Sequence, residues 1–343
     1  MRRAATTLGC LLVALFAAAG TGHARPLRVV VTVPDLGSLA GEVGGVEVEV
    51  DALVHGPQDA HFVEARPSYI RKLSKADLFA YVGLALEAAW LPPLVGNARN
   101  TRVLPGQPGN FDASVDIPRR GMLGGEVDRS MGDVHPFGSP HYLLDPINGL
   151  RVARRMQERF AELRPERADY FASRYAEFER RLFDALVGKA MGAALSYRAL
   201  AEAALQNRLE ALIASASAGP DGVALGGWLG AMAPHAGARS VADHDLWPYF
   251  AARFGFEVID FLEPKPGVTP TTRHLAEVAE TMQKDGIRAI LSAPYFSTRY
   301  AAKVSQATGA TVVEMAHQVG ARKGAEDYLS MVDWNVRHLA AAF

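Results

Sequence analysis

Leu27-Arg28-Val29-Val30-Val31-Thr32-Val33-Pro34-Asp35 decides how the rest of the chain is read. It is a β-rich apolar run stopped by a proline, which marks a buried strand. A short helix is expected over 35–43, with Asp35 as its N-cap. Val46, Val48 and Val50 then alternate with Glu47, Glu49 and Asp51, the period-two mark of a half-exposed strand that runs on to about Val54. A second helix is expected over 67–75 and a third strand over 77–82. That alternation implies a parallel sheet with right-handed crossovers, so the fold class is α/β.

Outward toward the N-terminus, Arg2 and Arg3 precede an apolar run over 8–19 and a small-x-small site at Gly22-His23-Ala24. This reads as a secretory signal peptide over 1–24 and implies a periplasmic protein. The only cysteine, Cys10, lies near the start of the apolar run rather than after it, so the expectation is an exported chain without lipid, disulfide or thiolate ligand. Toward the C-terminus, residues 96–133 are rich in Gly, Pro and Arg. They are read as a long loop holding one short strand near 102–104. A helix should begin near Asp145-Pro146, and Pro165 suits the first turn of the next one. In that second helix Phe171, Tyr175, Phe178, Leu182 and Leu186 share one face. Pattern alone leaves it as either a spine between two halves or an ordinary surface helix. Strands over 238–242, 256–260, 287–292 and 311–314 then alternate with helices over 245–254, 271–284, 298–308 and 325–342, the same plan a second time.

The chain has 343 residues, enough for two α/β domains. A net charge of −1 gives no basic field for nucleic acid.

Ligands in doubly wound sheets bind beyond the carboxyl ends of strands. Applied to the ten histidines, that filter keeps His61, His244 and His317, each just past a strand. His141 joins them, held in Gly138-Ser139-Pro140-His141-Tyr142-Leu143-Leu144-Asp145-Pro146 on a stiff turn between prolines. Neutral imidazoles suit Zn²⁺, Cu²⁺ and Ni²⁺, and a ligating imidazole needs an acceptor for its second N–H. Asp59, Glu64, Asp145, Asp243 and Asp245 are candidates for that task. Rival motifs fail: Gly226-Gly227-Trp228-Leu229-Gly230 lacks the P-loop lysine, and there is neither a His-Glu-x-x-His helix nor a Gly-x-Ser-x-Gly elbow.

These segments resemble the periplasmic metal-binding proteins of zinc and manganese ABC importers, the cluster A-I or ZnuA/TroA-like solute-binding proteins. Asp59-Ala60-His61-Phe62-Val63-Glu64 is similar to that family's Asp-Pro-His-x-Tyr/Phe-Glu, and the His141 stretch to its Gly-Asn-Pro-His-Tyr-Trp-Leu-Asp-Pro. Asp243-His244-Asp245-Leu246-Trp247-Pro248-Tyr249-Phe250 looks like its third histidine segment, and Leu262-Glu263-Pro264-Lys265-Pro266-Gly267-Val268-Thr269-Pro270-Thr271 like the stretch the family usually carries after that segment. The resemblance implies two α/β lobes, 25–164 and 191–343, joined by one long rigid helix over 165–190, with the metal in the cleft between them. It implies metal-ligand roles for His61, His141 and His244. Where relatives often carry an aspartate after the last strand, His317 falls near that place, and the order of expectation for the fourth ligand is His317, water, Glu314. Ala60, Ser139 and Leu143 depart from the pattern beside ligands, and 96–133 has no histidine, so a histidine-rich scavenging loop is missing.

The implied function is capture of Zn²⁺ by a monomer and delivery to an ABC-importer permease with its cytoplasmic ATPase, with no enzymatic step. Mn²⁺ is the alternative cargo, although such sites prefer more carboxylate. A zinc hydrolase with Glu64 or Asp245 as general base, and a metal-binding adhesin, are the readings from other classes.

Overall fold

A computed structural model describes residues 25–121, 136–265 and 268–343. The expected signal peptide, the end of the 96–133 loop and His135 lie outside the described residues.

The first lobe is built on β1 (Leu27–Val31), β2 (Val48–Ala52), β3 (Leu78–Tyr81) and β4 (Asn110–Asp112), with α1 (Pro34–Gly44), α2 (Pro67–Leu73) and α3 (Leu91–Ala98). Its strands are all parallel, in the order β2-β1-β3-β4. α4 (Pro146–Leu163) and α5 (Ala168–Val187) lead out of it. Four short helices come next: α6 (Lys189–Leu195), α7 (Tyr197–Leu205), α8 (Leu209–Ser217) and α9 (Gly227–Met232). The second lobe carries β5 (Arg239–Ala242), β6 (Glu257–Phe261), β7 (Ala289–Ser292) and β8 (Thr311–Glu314). α10 (Pro248–Phe254), α11 (Thr272–Asp285), α12 (Thr298–Thr308) and α13 (Tyr328–Ala340) accompany them. This sheet is also parallel and repeats the first plan, β6-β5-β7-β8. In each sheet the order reverses at the first strand, so a crevice opens past β1 and β3 in one lobe and past β5 and β7 in the other.

Apolar spacing explains the packing. Leu36, Leu39, Ala40 and Val43 recur at helical spacing along α1 and are fully buried. On α5, Phe171, Phe178, Leu182 and Leu186 are buried as their spacing requires, together with Phe183 and Val187, while Tyr175 is partly covered. α5 packs on α1 and α4 at one end and on α6, α7 and α9 at the other. One apolar core runs from β1 through α5 to β7 and α13, so the lobes share an interior; a smaller cluster lies around Leu275, Met282 and Ile290. The glycine-rich 226–230 stretch serves this packing. A Cβ at Gly227, where φ is +59°, would meet the Ala185 carbonyl oxygen at 2.3 Å. Glycine therefore lets α9 close on the end of α5.

Two local expectations are corrected. The strand near 102–104 is a 3-10 turn over Thr101–Val103. The Asn100 side chain accepts from the Arg102 N–H and donates to the Leu73 and Ala76 carbonyls, which coils the chain there; the strand comes later, as β4. Asp35 is not the N-cap of α1. Pro34 starts the helix after Val33, which leaves Asp35 inside the first turn and buried. Asp145 does cap α4, accepting from the Ile147 N–H at 2.9 Å. Among the described residues no helix is long and apolar enough to cross a membrane.

Candidate metal centre

His61 follows β2 on a loop that the buried Leu53 and Val54 anchor. Asp59 Oδ1 accepts from both the His61 backbone N–H (2.9 Å) and Nδ1 (2.7 Å). Burial pushes the Asp59 carboxyl up, but the bond and charge of the His61 ring outweigh it and hold the group below its ordinary value. A carboxylate on Nδ1 fixes the tautomer, so His61 would ligate through Nε2.

His141 opens the 3-10 turn His141–Leu144. Its ring centroid lies 5.4 Å from that of His61, at 63°. Two imidazoles sharing a tetrahedral ion at ~2.0–2.1 Å from each nitrogen have centroids about 5 Å apart. The pair stands at co-ligand spacing.

His317 sits three residues past β8. Its Nε2 donates to the Gln58 carbonyl at 3.2 Å, which leaves Nδ1 as a bare lone pair, and Nδ1 is buried without a hydrogen-bond partner. Burial lowers the His317 imidazole to about 4, so it is neutral at physiological pH. Its ring meets Tyr295 edge-on at 4.7 Å. The neighbouring Gln318 Nε2 donates to the Gly56 and Gln58 carbonyls (2.6 and 2.9 Å), tying the second lobe to the His61 loop.

His61, His141 and His317 line one cavity of about 40 Å³, with Asp35 and Asp59 among its walls. That volume has room for an ion with a water. His244 is not in this wall. It lies past β5, between Phe261 and Phe296, with Nδ1 3.0 Å from the Glu263 carbonyl oxygen. Burial lowers its pKa, and it is near enough for the charges of Asp59 and His61 to act on it. Among the described residues no three His, Cys, Asp or Glu side chains stand close enough together to form a finished metal cage. The structure thus places three of the expected histidines around one space and the fourth at its side.

Of the proposed N–H acceptors, Asp59 takes the part. Asp145 is spent on its helix cap and on Arg253, Asp243 accepts from the Ala293 N–H, and Glu64 is exposed. His244 and His317 use main-chain carbonyls, which no side-chain pattern announces. Asp35 is a cavity residue that the sequence reading misses. Its carboxylate accepts from the Val319 N–H at 3.3 Å across the cleft, and burial pushes it up to about 7. A charge at the carboxyl end of β1 is the signal that could have found it.

The family model described as zinc-uptake complex component A, periplasmic (ZnuA), matches residues 29–191 and 228–342. The chain belongs to the ZnuA family. The family's description is of one component of a zinc-uptake complex. The manganese ABC transporter substrate-binding lipoprotein PsaA of Streptococcus pneumoniae is 26% identical over 165 residues, 47% of this chain and 50% of that protein. The chain therefore spans about half the length of the curated relatives it matches. A crystal structure of ZnuA superposes with a TM-score of 0.65 at 19% identity, covering 92% of this chain and 99% of that one. A Mn-bound periplasmic metal-binding protein of Candidatus Liberibacter asiaticus, in its S38A form, has a TM-score of 0.65 at 15% identity, covering 92% and 100%. The ZnuA family fold therefore extends over both lobes.

Proposed function

We propose that the chain captures a divalent transition metal, Zn²⁺ first, outside the inner membrane and hands it to an ABC-importer permease served by a cytoplasmic ATPase. The observation that carries this reading is the His61–His141 pair at 5.4 Å, backed by Asp59 on His61 Nδ1. His61 and His141 supply two nitrogens, His317 Nδ1 a third, and His244, at the side of the cavity, is the fourth. Glu314 is the weaker fourth ligand, since it is exposed and faces Arg322 at 3.6 Å. A mostly imidazole set favours Zn²⁺. Mn²⁺ is the second reading, supported by the Asp35 carboxylate in the cavity wall and by the manganese named in PsaA.

The test is elemental analysis of the purified protein beside His141→Ala and His317→Ala. One zinc per chain, lost in His141→Ala, is expected. Metal retained in full by His141→Ala would sink the site. The relatives' names include "lipoprotein", so the intact mass of the exported chain decides whether lipid is attached.

A further inference from the structure

Asp145 closes the turn that carries His141, and its carboxylate does two jobs. Oδ1 caps α4 through the Ile147 N–H. The two oxygens also take a two-point grip from Arg253, Nε to Oδ1 at 2.8 Å and Nη2 to Oδ2 at 3.1 Å. Arg253 stands on α10, the helix that starts four residues after His244. It reaches Asp145 from the second lobe, and Glu210 of α8 neutralises its outer side. Both partners are nearly covered, with side chains 13% and 10% exposed. A buried fork-to-carboxylate bond tolerates little slip in distance or angle. A second hold lies alongside it: the Tyr328 hydroxyl of α13 donates to the Leu143 carbonyl at 2.6 Å. The turn bearing one expected ligand is thus bolted to the helix that comes after another.

We propose that Arg253 and Asp145 are a positioning pair that sets the distance between the His141 and His244 segments, so that the metal site's two halves are held in register before any ion arrives. The inference rests on the metal-binding reading above. An exposed ion pair would do little of this, but here desolvation makes the loss of one partner costly and leaves the other charge uncompensated. The coupling runs through main chain, with three residues between His141 and Asp145 and α10 itself on the far side. Loss of a partner that orients a metal ligand from outside typically costs roughly 10–100-fold in metal affinity.

The experiment compares the wild type with Arg253→Lys, Arg253→Met and the double variant Asp145→Asn/Arg253→Met. Zn²⁺ affinity is read by chelator competition well below each protein's melting temperature, and the electronic spectrum of the Co²⁺-loaded form reports ligand geometry. Arg253→Met is expected to bind Zn²⁺ about tenfold or more weakly with an altered Co²⁺ spectrum. Arg253→Lys should fall between, because an ammonium cannot reproduce the fork. The double variant, which leaves no buried unpaired charge, should recover stability but not affinity. A pair that only holds the fold together would lower the melting temperature and leave both the affinity and the spectrum unchanged, and that result overturns the proposal. If the wild type itself binds no metal, the functional reading falls and this inference with it. Zinc bound equally by wild type and Arg253→Met removes the inference alone.

Discussion

Gly149→Ala is the sharpest test of how the lobes are joined. Gly149 lies in α4, where alanine would ordinarily gain up to about 1 kcal/mol of helix propensity. Here a Cβ would stand 2.1 Å from the Tyr328 hydroxyl oxygen, 2.3 Å from Cζ and 2.5 Å from Cε1. Ordinary carbon contacts need about 3.5–4.0 Å, so the ring must retreat by more than 1 Å. It has no room to do so, since Tyr328 is fully buried and its hydroxyl is held by the Leu143 carbonyl. Overpacking of this kind costs about 1–3 kcal/mol, and the lost hydrogen bond about 1 kcal/mol more. Set against the propensity gain, a net loss of about 1–3 kcal/mol is expected. Urea denaturation monitored by tryptophan fluorescence should show a lower midpoint. In a Tyr328→Leu background, which vacates the clashing atoms, the same alanine should be neutral or stabilising. A Gly149→Ala protein as stable as wild type, or a cost that persists without Tyr328, would refute the close approach of α4 and α13.

Asp59→Asn keeps the shape beside His61 but removes the charge on Nδ1, and should weaken Zn²⁺ binding by about 10–100-fold with little change in the urea midpoint; unchanged affinity in a chelator titration would dissociate Asp59 from the site. Glu87 is buried, and burial pushes its carboxyl up despite bonds from the Thr32 hydroxyl and the Val82 and Gly83 N–H groups. Because its folded value lies above its unfolded one, its contribution to stability is complete at low pH and is lost as pH rises from the unfolded value, about 4.3, through the folded one; Glu87→Gln should flatten that part of a stability–pH profile of the metal-free protein, and an unaltered slope would contradict it. Asn100→Ala removes three hydrogen bonds at the far end of the first lobe; a loss of about 2–3 kcal/mol is expected, with metal affinity unmoved when measured on the folded protein.

Much of the architecture is legible in the chain because most strands are apolar or alternating runs bounded by turn signals. β4 is not, since Asn110-Phe111-Asp112 offers a single apolar residue and is a strand only because β3 lies beside it. Asp35 is misread because a capping residue and a buried first-turn carboxylate look alike next to proline; the difference is that Val319 arrives from 284 positions away. His61, His244 and His317 are legible as strand-end residues, His141 by its stiff turn between prolines, and Asp59 by adjacency. The carbonyls of Gln58 and Glu263 that orient His317 and His244 belong to no residue type, so only the folded main chain reveals them. The glycines at 226 and 227 look like a failed phosphate loop and are a packing contact.

Tyr328 lies 185 positions after Leu143, yet it braces the turn that presents His141 in the first lobe. The N-terminal half therefore cannot finish the turn that carries His141 from its own sequence. Strands β1 to β4 can pair as soon as they emerge, but the His141 segment stays unsecured until α13 arrives, so the order of assembly is set by connectivity as much as by local stability. A chain stopped before residue 328 should form its first sheet and still fail to hold metal. On the metal-binding reading proposed above, loading is reserved for molecules in which α13 has already been made.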